Sequence, residues 1–195
     1  MKLILASTSP YRLALLQRLR VSFDTVDPHV DETPLEGELP RNRALRLASL
    51  KADAVAVPHA LALGSDQVAC LDDAILHKPR TPKTAVQQLM SCSGRTVSFW
   101  TAVSLRNTAS RWRSDRVVRC DVRFRDITAS EAERYVELDQ PMDCAGSFKW
   151  ESLGITLFCE IDTEDPTALE GLPLIAVCDL LREAGLSLPL LSEKV

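Results

Sequence analysis

The stretch that decides the fold is Met1-Lys-Leu-Ile-Leu-Ala-Ser-Thr-Ser-Pro-Tyr-Arg12. Its apolar run, residues 3–6, predicts a short buried strand. Three hydroxyl residues then predict a turn, and Pro10 stands where a helix would begin, because proline suits the first helical position. A strand, a turn and a helix N-terminus in this order present backbone N–H groups and a positive dipole end to an anion. An ordinary strand–turn–helix with a serine cap has the same pattern, so this segment alone leaves both interpretations open.

The composition is that of a soluble globular protein, with 46% apolar and 26% charged residues in a chain of 195. The net charge of −4 argues against a general nucleic-acid binder, which would carry a basic surplus. No stretch approaches the roughly 18 apolar residues of a membrane span, and the short apolar run at the N-terminus does not predict a signal peptide. Six widely spaced cysteines predict reduced thiols. We therefore expect a cytoplasmic protein that binds neither nucleic acid nor membrane.

Predicted strands and helices alternate along the chain in the order β-α-β-α-β-α-β-β-α-β-α. The apolar run of residues 60–65 is typical of a strand buried on both faces. The alternation over 116–124 is typical of an antiparallel strand with one solvent-facing side. Further on, Ser130-Glu-Ala-Glu133 predicts a capping box. No repeat or linker interrupts the pattern, so we predict one α/β domain over residues 1–195 with a mixed sheet.

A carboxylate and a lysine are placed around the predicted buried strand. Gly64-Ser-Asp-Gln67 follows that strand, and ligands of open α/β sheets bind beyond the carboxyl ends of strands. Asp66 could hold a hard cation or orient a water, or it could only organise a turn. A turn at Asp72-Asp73 predicts a hairpin that returns Lys78 to the end of the Asp66 strand. There its ammonium could neutralise a phosphate, with a solvated lysine as the alternative.

Three more segments carry candidate groups, although each type is common without a function. Asp31-Glu32-Thr33-Pro34 is an acidic site in a predicted loop, and Lys51 lies in the helix that Pro40 opens. Cys144-Ala-Gly-Ser-Phe-Lys-Trp-Glu151 is a loop that could contact a base, a ribose or a phosphate. The chain has no Walker A loop and no Gly-x-Ser-x-Gly elbow. Chemistry on a nucleotide's phosphates would therefore use Ser, Arg and Lys anchors with a carboxylate-bound metal.

Together these segments resemble the Maf family of nucleotide pyrophosphatases. The motifs that carry the resemblance follow the family's order over nearly the whole chain: residues 6–12, 31–32, 51, 64–67, 78–79, 145–148 and 171–173. The Ser-Asp-Gln form of residues 65–67, with Glu151 further on, is similar to the branch associated with 7-methyl-GTP. In the branch associated with dTTP and UTP, Ala-Asp-Thr is usual at these positions.

The resemblance implies a fold and an activity. The fold would be an elongated α/β form with two lobes, shared with inosine-triphosphate pyrophosphatases, and the nucleotide would bind in a cleft between the lobes. The activity would be hydrolysis of 7-methyl-GTP, a modified nucleotide, between its α- and β-phosphates to the monophosphate and pyrophosphate. The alternatives are the same chemistry on dTTP, UTP or inosine triphosphate, and a nucleotide-binding regulator of cell division. The sequence leaves open whether the protein is a homodimer.

The resemblance also implies roles for individual residues. Four would bind the triphosphate: Ser7, Arg12, Lys51 and Lys78. Glu32 and Asp66 would serve the metal and the attacking water, with Asp66 as the proton acceptor. Three match positions associated with substrate choice: Tyr11, Gln67 and Glu151. A divalent cation would be required, with Mg²⁺ expected and Mn²⁺ or Co²⁺ as alternatives.

Trp150 departs from the small polar residue that we expect at this position in close relatives. A 7-methylated guanine carries positive charge, which is attracted to the face of an aromatic ring. Either Tyr11 or Trp150 could therefore stack on the base, while Glu151 accepts a hydrogen bond from its Watson–Crick edge. The alternative is that Trp150 only packs its loop onto the core.

Overall fold

The computed structural model describes residues 1–72 and 74–189. The strands in this part of the chain are β1 (Lys2–Ala6), β2 (Phe23–Val26), β3 (Ala60–Leu71), β4 (Ala74–Leu76), β5 (Thr96–Asn107), β6 (Arg113–Phe124) and β7 (Phe158–Thr163). The α-helices are α1 (Pro10–Gln17), α2 (Pro40–Asp53), α3 (Pro82–Cys92), α4 (Ala129–Asp139) and α5 (Leu174–Glu183). Short 3₁₀ segments occupy Ala145–Ser147, Leu153–Leu157 and Pro166–Glu170. Within the described residues, no helix is both long and apolar enough to cross a membrane.

The sheet has the strand order β2-β1-β3-β5-β6-β7, with β4 paired to β3. β1 runs parallel to both β2 and β3, whereas the β3–β4 and β6–β7 pairs are antiparallel. The prediction of an α/β fold with a mixed sheet is confirmed.

β3 corrects one prediction from the sequence. The strand does not end before Asp66 but continues to Leu71, because β4 pairs with its last residues, beginning at Ala69. The polar residues of 64–67 therefore lie inside a strand. The pairing with β1 ends at Ala6, opposite Gly64, so Asp66 lies beyond the carboxyl end of the neighbouring strand β1.

The start of α4 corrects a second prediction, the position of the capping box. The capping box is formed by Thr128 and Glu131, whose side chains each accept a hydrogen bond from the other residue's backbone N–H. The prediction of a box at Ser130-Glu-Ala-Glu133 is wrong, since α4 already begins at Ala129. Both quartets fit the same Ser/Thr-x-x-Glu pattern, so the pattern alone does not choose between them.

The chain divides into two compact units. The first contains Met1–Gln67, Thr101–Val118 and the described residues from Asp165 onward, and the second contains Val68–Trp100 and Arg119–Glu164. The prediction of a single domain over residues 1–195 stays a prediction.

In the first unit, apolar side chains cover both faces of the sheet. One face buries leucines of β1 and β3 against leucines of α1 and α5. They include Leu5 and Leu63 of the strands and Leu15 and Leu180 of the helices. The opposite face buries small residues, including Ala6 and Ala62, against Val55 after α2. Small side chains on this face allow a helix to approach the strands closely.

In the second unit, four phenylalanines form an edge-to-face cluster: Phe99, Phe124, Phe148 and Phe158. Their ring centroids lie 4.7–5.6 Å apart, the separation at which aromatic pairs attract beyond simple burial. Phe148 belongs to the predicted motif at residues 145–148, so this cluster anchors that loop to the core of its unit.

Candidate active site

The turn after β1 is organised by its own hydroxyl groups. Ser9 is the N-cap of α1, and its side chain accepts a long hydrogen bond, 3.5 Å, from the backbone N–H of Arg12. The buried Ser7 hydroxyl accepts from the backbone N–H of Ser9 at 3.1 Å. Tyr11 is half-buried in the first turn of the helix. The predicted strand, turn and helix beginning at Pro10 are therefore confirmed. Ser7, the first residue of the turn, is buried.

Arg12 is held from the other end of the chain. Its Nε donates to the carbonyl oxygen of Gly171 at 2.8 Å. Gly171 has a φ of +95°, a backbone conformation that glycine adopts without strain. Burial lowers the pKa of the Arg12 guanidinium, while the negative charges of Asp66 and Glu32 raise it. An arginine stays charged under these opposing effects.

Lys51 lies between two of the predicted carboxylates. Its Nζ is 2.6 Å from Oδ1 of Asp66 and 2.7 Å from Oε1 of Glu32. Lys51 and Asp66 are each only 7% exposed, whereas the Glu32 side chain is 55% exposed. The structure thus brings together three predicted site residues, as a buried ion pair with a third charge at its open side.

This contact depends on a close approach of α2 to β3. Gly64 faces the helix backbone, and a Cβ on it would lie 2.1 Å from the carbonyl oxygen of Ala48 and 2.6 Å from the backbone nitrogen of Ala52. Only glycine leaves room for the helix at this distance. Because Lys51 immediately precedes Ala52, the same approach delivers its ammonium to Asp66.

Two arginines of α2 hold the acidic loop that carries Glu32. Arg43 Nη2 donates to the carbonyl oxygen of Glu32 at 3.1 Å, and Arg46 Nη2 donates to that of Thr33 at 3.2 Å. Arg46 also pairs with Glu38 at 2.6 Å. Sequence analysis missed both arginines as anchors. The sequence feature that could have identified them is their spacing of three residues, which places both side chains on one face of α2.

The amide of Gln67 holds backbone near the C-terminal end of the chain. Its Nε2 donates to the carbonyl oxygen of Ala168 at 2.7 Å and to Oγ1 of Thr101 at 3.0 Å. The buried Ser65 hydroxyl donates to the carbonyl oxygen of Gly171 at 2.9 Å, the same oxygen that Arg12 contacts. These side chains therefore support the segment that orients Arg12. A role of Gln67 in substrate choice stays a prediction.

Two predicted residues, Lys78 and Glu151, lie in the second unit. The predicted hairpin is confirmed, since β4 pairs antiparallel with residues 69–71 of β3, and Lys78 follows β4 with an exposed side chain. Asp73 of the predicted turn lies outside the described residues. Glu151 is exposed in a turn between two 3₁₀ segments. The placement of both side chains relative to Asp66 stays a prediction.

The loop before Glu151 is fastened to α4. The backbone N–H of Lys149 donates to the hydroxyl of Tyr135 at 2.9 Å, and its Nζ donates to the carbonyl oxygen of Asp139 at 3.0 Å. Burial raises the pKa of Tyr135, so that hydroxyl stays neutral. Trp150 is half-buried. Lys149 thus fastens the loop to α4, and a role of Trp150 or Glu151 in base recognition stays a prediction.

Comparison with known proteins identifies the family. Residues 2–184 match the family described as Maf-like protein. The chain belongs to this family. A relative of this Maf-like chain in Pseudomonas aeruginosa, named 7-methyl-GTP pyrophosphatase, is 49% identical over 96% of this chain and 98% of its own length. A relative of the same name in Xanthomonas oryzae pv. oryzae is 54% identical over 96% of this chain and 99% of its own length. A solved structure of a HAM1 protein from Coxiella burnetii covers 64% of this chain and 73% of its own, at 17% identity and a TM-score of 0.42.

The donor set of the Maf-like site fits a cation that arrives with phosphate. Among residues 1–72 and 74–189, no three His, Cys, Asp or Glu side chains form a cluster that could hold a metal ion alone. Glu32 and Asp66 nevertheless converge on one positive centre, the Lys51 ammonium, within 2.7 Å. Mg²⁺ is usually bound by one or two carboxylates together with substrate phosphates. Two converging carboxylates therefore suit a metal–nucleotide complex.

Proposed function

We propose that this Maf-like protein is a nucleoside triphosphate pyrophosphatase that hydrolyses 7-methyl-GTP to the monophosphate and pyrophosphate. The observation that carries the proposal is the contact of Lys51 with Asp66 and Glu32. The negative charges of the same two carboxylates also favour a raised pKa of Arg12, against the lowering by burial. The relatives named for this activity, at about half identity over nearly their whole length, support it. The cytoplasm is the proposed compartment, since all six cysteines are free thiols.

Four side chains are assigned to the triphosphate: Ser7, Arg12, Lys51 and Lys78. Arg12 uses Nε to contact Gly171, and we assign its Nη groups to a phosphate oxygen, which guanidinium binds well. Lys51 is a compact point charge that a phosphate can draw away from the carboxylates. Together they would offset the negative charge that develops when the α–β bond breaks.

Glu32 and Asp66 would hold a divalent cation, with Mg²⁺ expected and Mn²⁺ or Co²⁺ as alternatives. When bound, the cation supplies further charge neutralisation at the phosphate oxygens. Asp66, buried beside Lys51, accepts the proton of the water whose oxygen attacks the α-phosphorus. The bond from the α-phosphorus to its bridging oxygen breaks, and pyrophosphate leaves with that oxygen.

Base selection is assigned to Tyr11, Trp150 and Glu151. A positively charged 7-methylguanine would stack on one of the two aromatic rings, and the carboxylate would accept from its Watson–Crick edge. Gln67 would act on selection indirectly, since its amide supports the segment around Ala168.

The test is pyrophosphate release from a panel of 7-methyl-GTP, GTP, dTTP, UTP and inosine triphosphate with Mg²⁺. We expect preference for 7-methyl-GTP. Asp66→Asn should retain nucleotide binding and lose at least about a hundredfold in kcat, the usual contribution of a general base. Asp162→Asn, at an exposed position of β7, is the matched control and should leave kcat unchanged.

Each other outcome points to a different interpretation. Preference for dTTP, UTP or inosine triphosphate would contradict 7-methyl-GTP as the substrate but agree with the proposed pyrophosphatase reaction. Nucleotide binding without any pyrophosphate release would favour a nucleotide-binding regulator. An unchanged kcat in Asp66→Asn would remove Asp66 from the role of base.

A further inference from the structure

Gln88 of α3 belongs to none of the motifs, yet its amide contacts one motif at Ser147 and the residue just before another, His77. Its Nε2 donates to the carbonyl oxygen of His77 at 2.9 Å, directly before Lys78. Its Oε1 accepts from the hydroxyl of Ser147 at 2.5 Å. All of these residues lie in the second unit, so the contacts belong to one compact body.

The Ser147 contact holds a strained turn. Ser147 is fully buried and has a φ of +64°, and the preceding Gly146 has a φ of +78°. A residue other than glycine keeps such a conformation only where its surroundings hold it. The Ser147 backbone N–H donates to the carbonyl oxygen of Cys144, and its buried hydroxyl needs an acceptor, which Gln88 supplies.

The His77 contact fixes backbone beside Lys78. On the N-terminal side of Lys78, Gln88 binds the carbonyl oxygen of His77. On the C-terminal side, the backbone N–H of Arg80 donates to the carbonyl oxygen of Met142 at 3.2 Å. Lys78 itself is exposed, so its side chain has no packing of its own to aim it. The backbone on either side therefore sets the position of the Lys78 Cα and the direction of its Cα–Cβ bond, from which the flexible side chain reaches.

We propose that Gln88 is a positioning residue for the nucleotide site: it sets the backbone that aims Lys78 and, through the same amide, the turn at Gly146 and Ser147. This inference rests on the proposed function, because it takes Lys78 to be a phosphate ligand. The oxygen and the nitrogen of one amide serve two different partners, so the two contacts can be separated by substitution. Gln88→Glu keeps an acceptor for Ser147 but places a second acceptor against the His77 carbonyl, whereas Gln88→Leu removes both contacts.

The experiment measures kcat and KM for 7-methyl-GTP, together with calorimetric binding of inorganic triphosphate, which has no base. We expect Gln88→Leu to raise KM and to weaken triphosphate binding by about tenfold, a coupling typical of residues in one network. Gln87→Leu is the matched control, because Gln87 is the exposed neighbour on the same helix, and it should change neither value more than about twofold. Gln88→Glu should weaken triphosphate binding as Gln88→Leu does.

A cycle with Lys78→Ala separates positioning from general stability. If Gln88 acts through Lys78, Gln88→Leu should weaken triphosphate binding much less in the Lys78→Ala background than in the wild type. Equal losses in both backgrounds, or a lowered Tm with unchanged binding, would overturn the proposal. If Gln88→Leu does not fold, Gln88→Glu takes its place in the cycle. Absence of 7-methyl-GTP hydrolysis by the wild type would contradict the proposed function alone, since triphosphate binding is read separately.

Discussion

Lys51 lies between the two carboxylates that we propose as ligands of a divalent cation. Its ammonium contacts Asp66 and Glu32, and both Lys51 and Asp66 are buried. Removing one partner of a buried ion pair leaves a charge uncompensated, which costs about 3–5 kcal/mol. The ammonium therefore stabilises the folded protein, and we expect it to compete with a divalent cation for the two carboxylates.

This competition leads to a prediction for metal binding. Lys51→Met should bind Mn²⁺ without nucleotide at least about tenfold more tightly than the wild type, a difference of about 1.4 kcal/mol. For the same reason, Mn²⁺ should raise its Tm more than that of the wild type. Isothermal calorimetry and thermal unfolding measure the two effects.

The matched control is Lys83→Met, at an exposed lysine of α3, which should leave Mn²⁺ affinity unchanged. Equal or weaker Mn²⁺ binding by Lys51→Met would show that Lys51 does not compete with the cation for Asp66 and Glu32.

At the scale of elements, the site depends on how closely α2 approaches β3. The helix backbone lies where a side chain of residue 64 would be, so the register between Gly64 and Ala48 is constrained by contact. The acidic loop is then attached to the same helix by Arg43 and Arg46. One helix thus carries Lys51 and also fixes the loop of Glu32.

Gly64→Ala should therefore be strongly destabilising. Overpacking usually costs 1–3 kcal/mol, and a Cβ against backbone atoms cannot be relieved by side-chain rotation, so we expect about 3 kcal/mol or more in the free energy of unfolding. Gly37→Ala is the control: Gly37 has a φ of +68° but nothing within 4 Å of its Cβ position, and about 1–2 kcal/mol is expected. Urea unfolding compares the two, and equal losses would argue against the close approach.

At the scale of the whole molecule, several carboxylates are held in their charged form. Hydrogen bonds from Thr128 and Arg125 lower the pKa of Glu131 to about 2. The Arg46 guanidinium lowers the pKa of Glu38, and Thr33 lowers that of Asp31. A carboxylate whose pKa is lower in the folded state than in the unfolded state stabilises the protein at every pH above its unfolded-state pKa. This stabilisation is lost as the pH falls through the folded-state pKa.

The Tm should consequently be constant down to about pH 5 and fall between about pH 4.5 and pH 2, with the protein losing stability as these groups protonate. Arg46→Leu, which removes the partner of Glu38, should lower the Tm at pH 7 and reduce the fall on acidification. Arg41→Leu, at an exposed position of the same helix, is the control. Thermal unfolding at a series of pH values measures both, and parallel curves for Arg46→Leu and wild type would contradict the assignment.

Sequence patterns predicted the strands and helices well where each pattern is compatible with one position of the element. The apolar run of β1, the serines and Pro10 led directly to the observed strand, cap and helix. They failed where two solutions fit equally, as with the capping box at Thr128, or where tertiary pairing extended an element, as β4 does for β3. The contacts of Gln67 and Gln88 could not be predicted, because a glutamine amide has no pattern along the chain that identifies its partners.

The sequence by itself determined the α/β class, the order of the motifs and the family, because periodicity and motif spacing are properties of neighbouring residues. Only the tertiary structure decided that Lys51 bridges Asp66 and Glu32, that Gly171 orients Arg12, and that Gln88 joins two loops. Each of these contacts joins residues far apart in the chain. They form only when packing brings the elements within hydrogen-bonding distance, as the close approach at Gly64 does for Lys51 and Asp66.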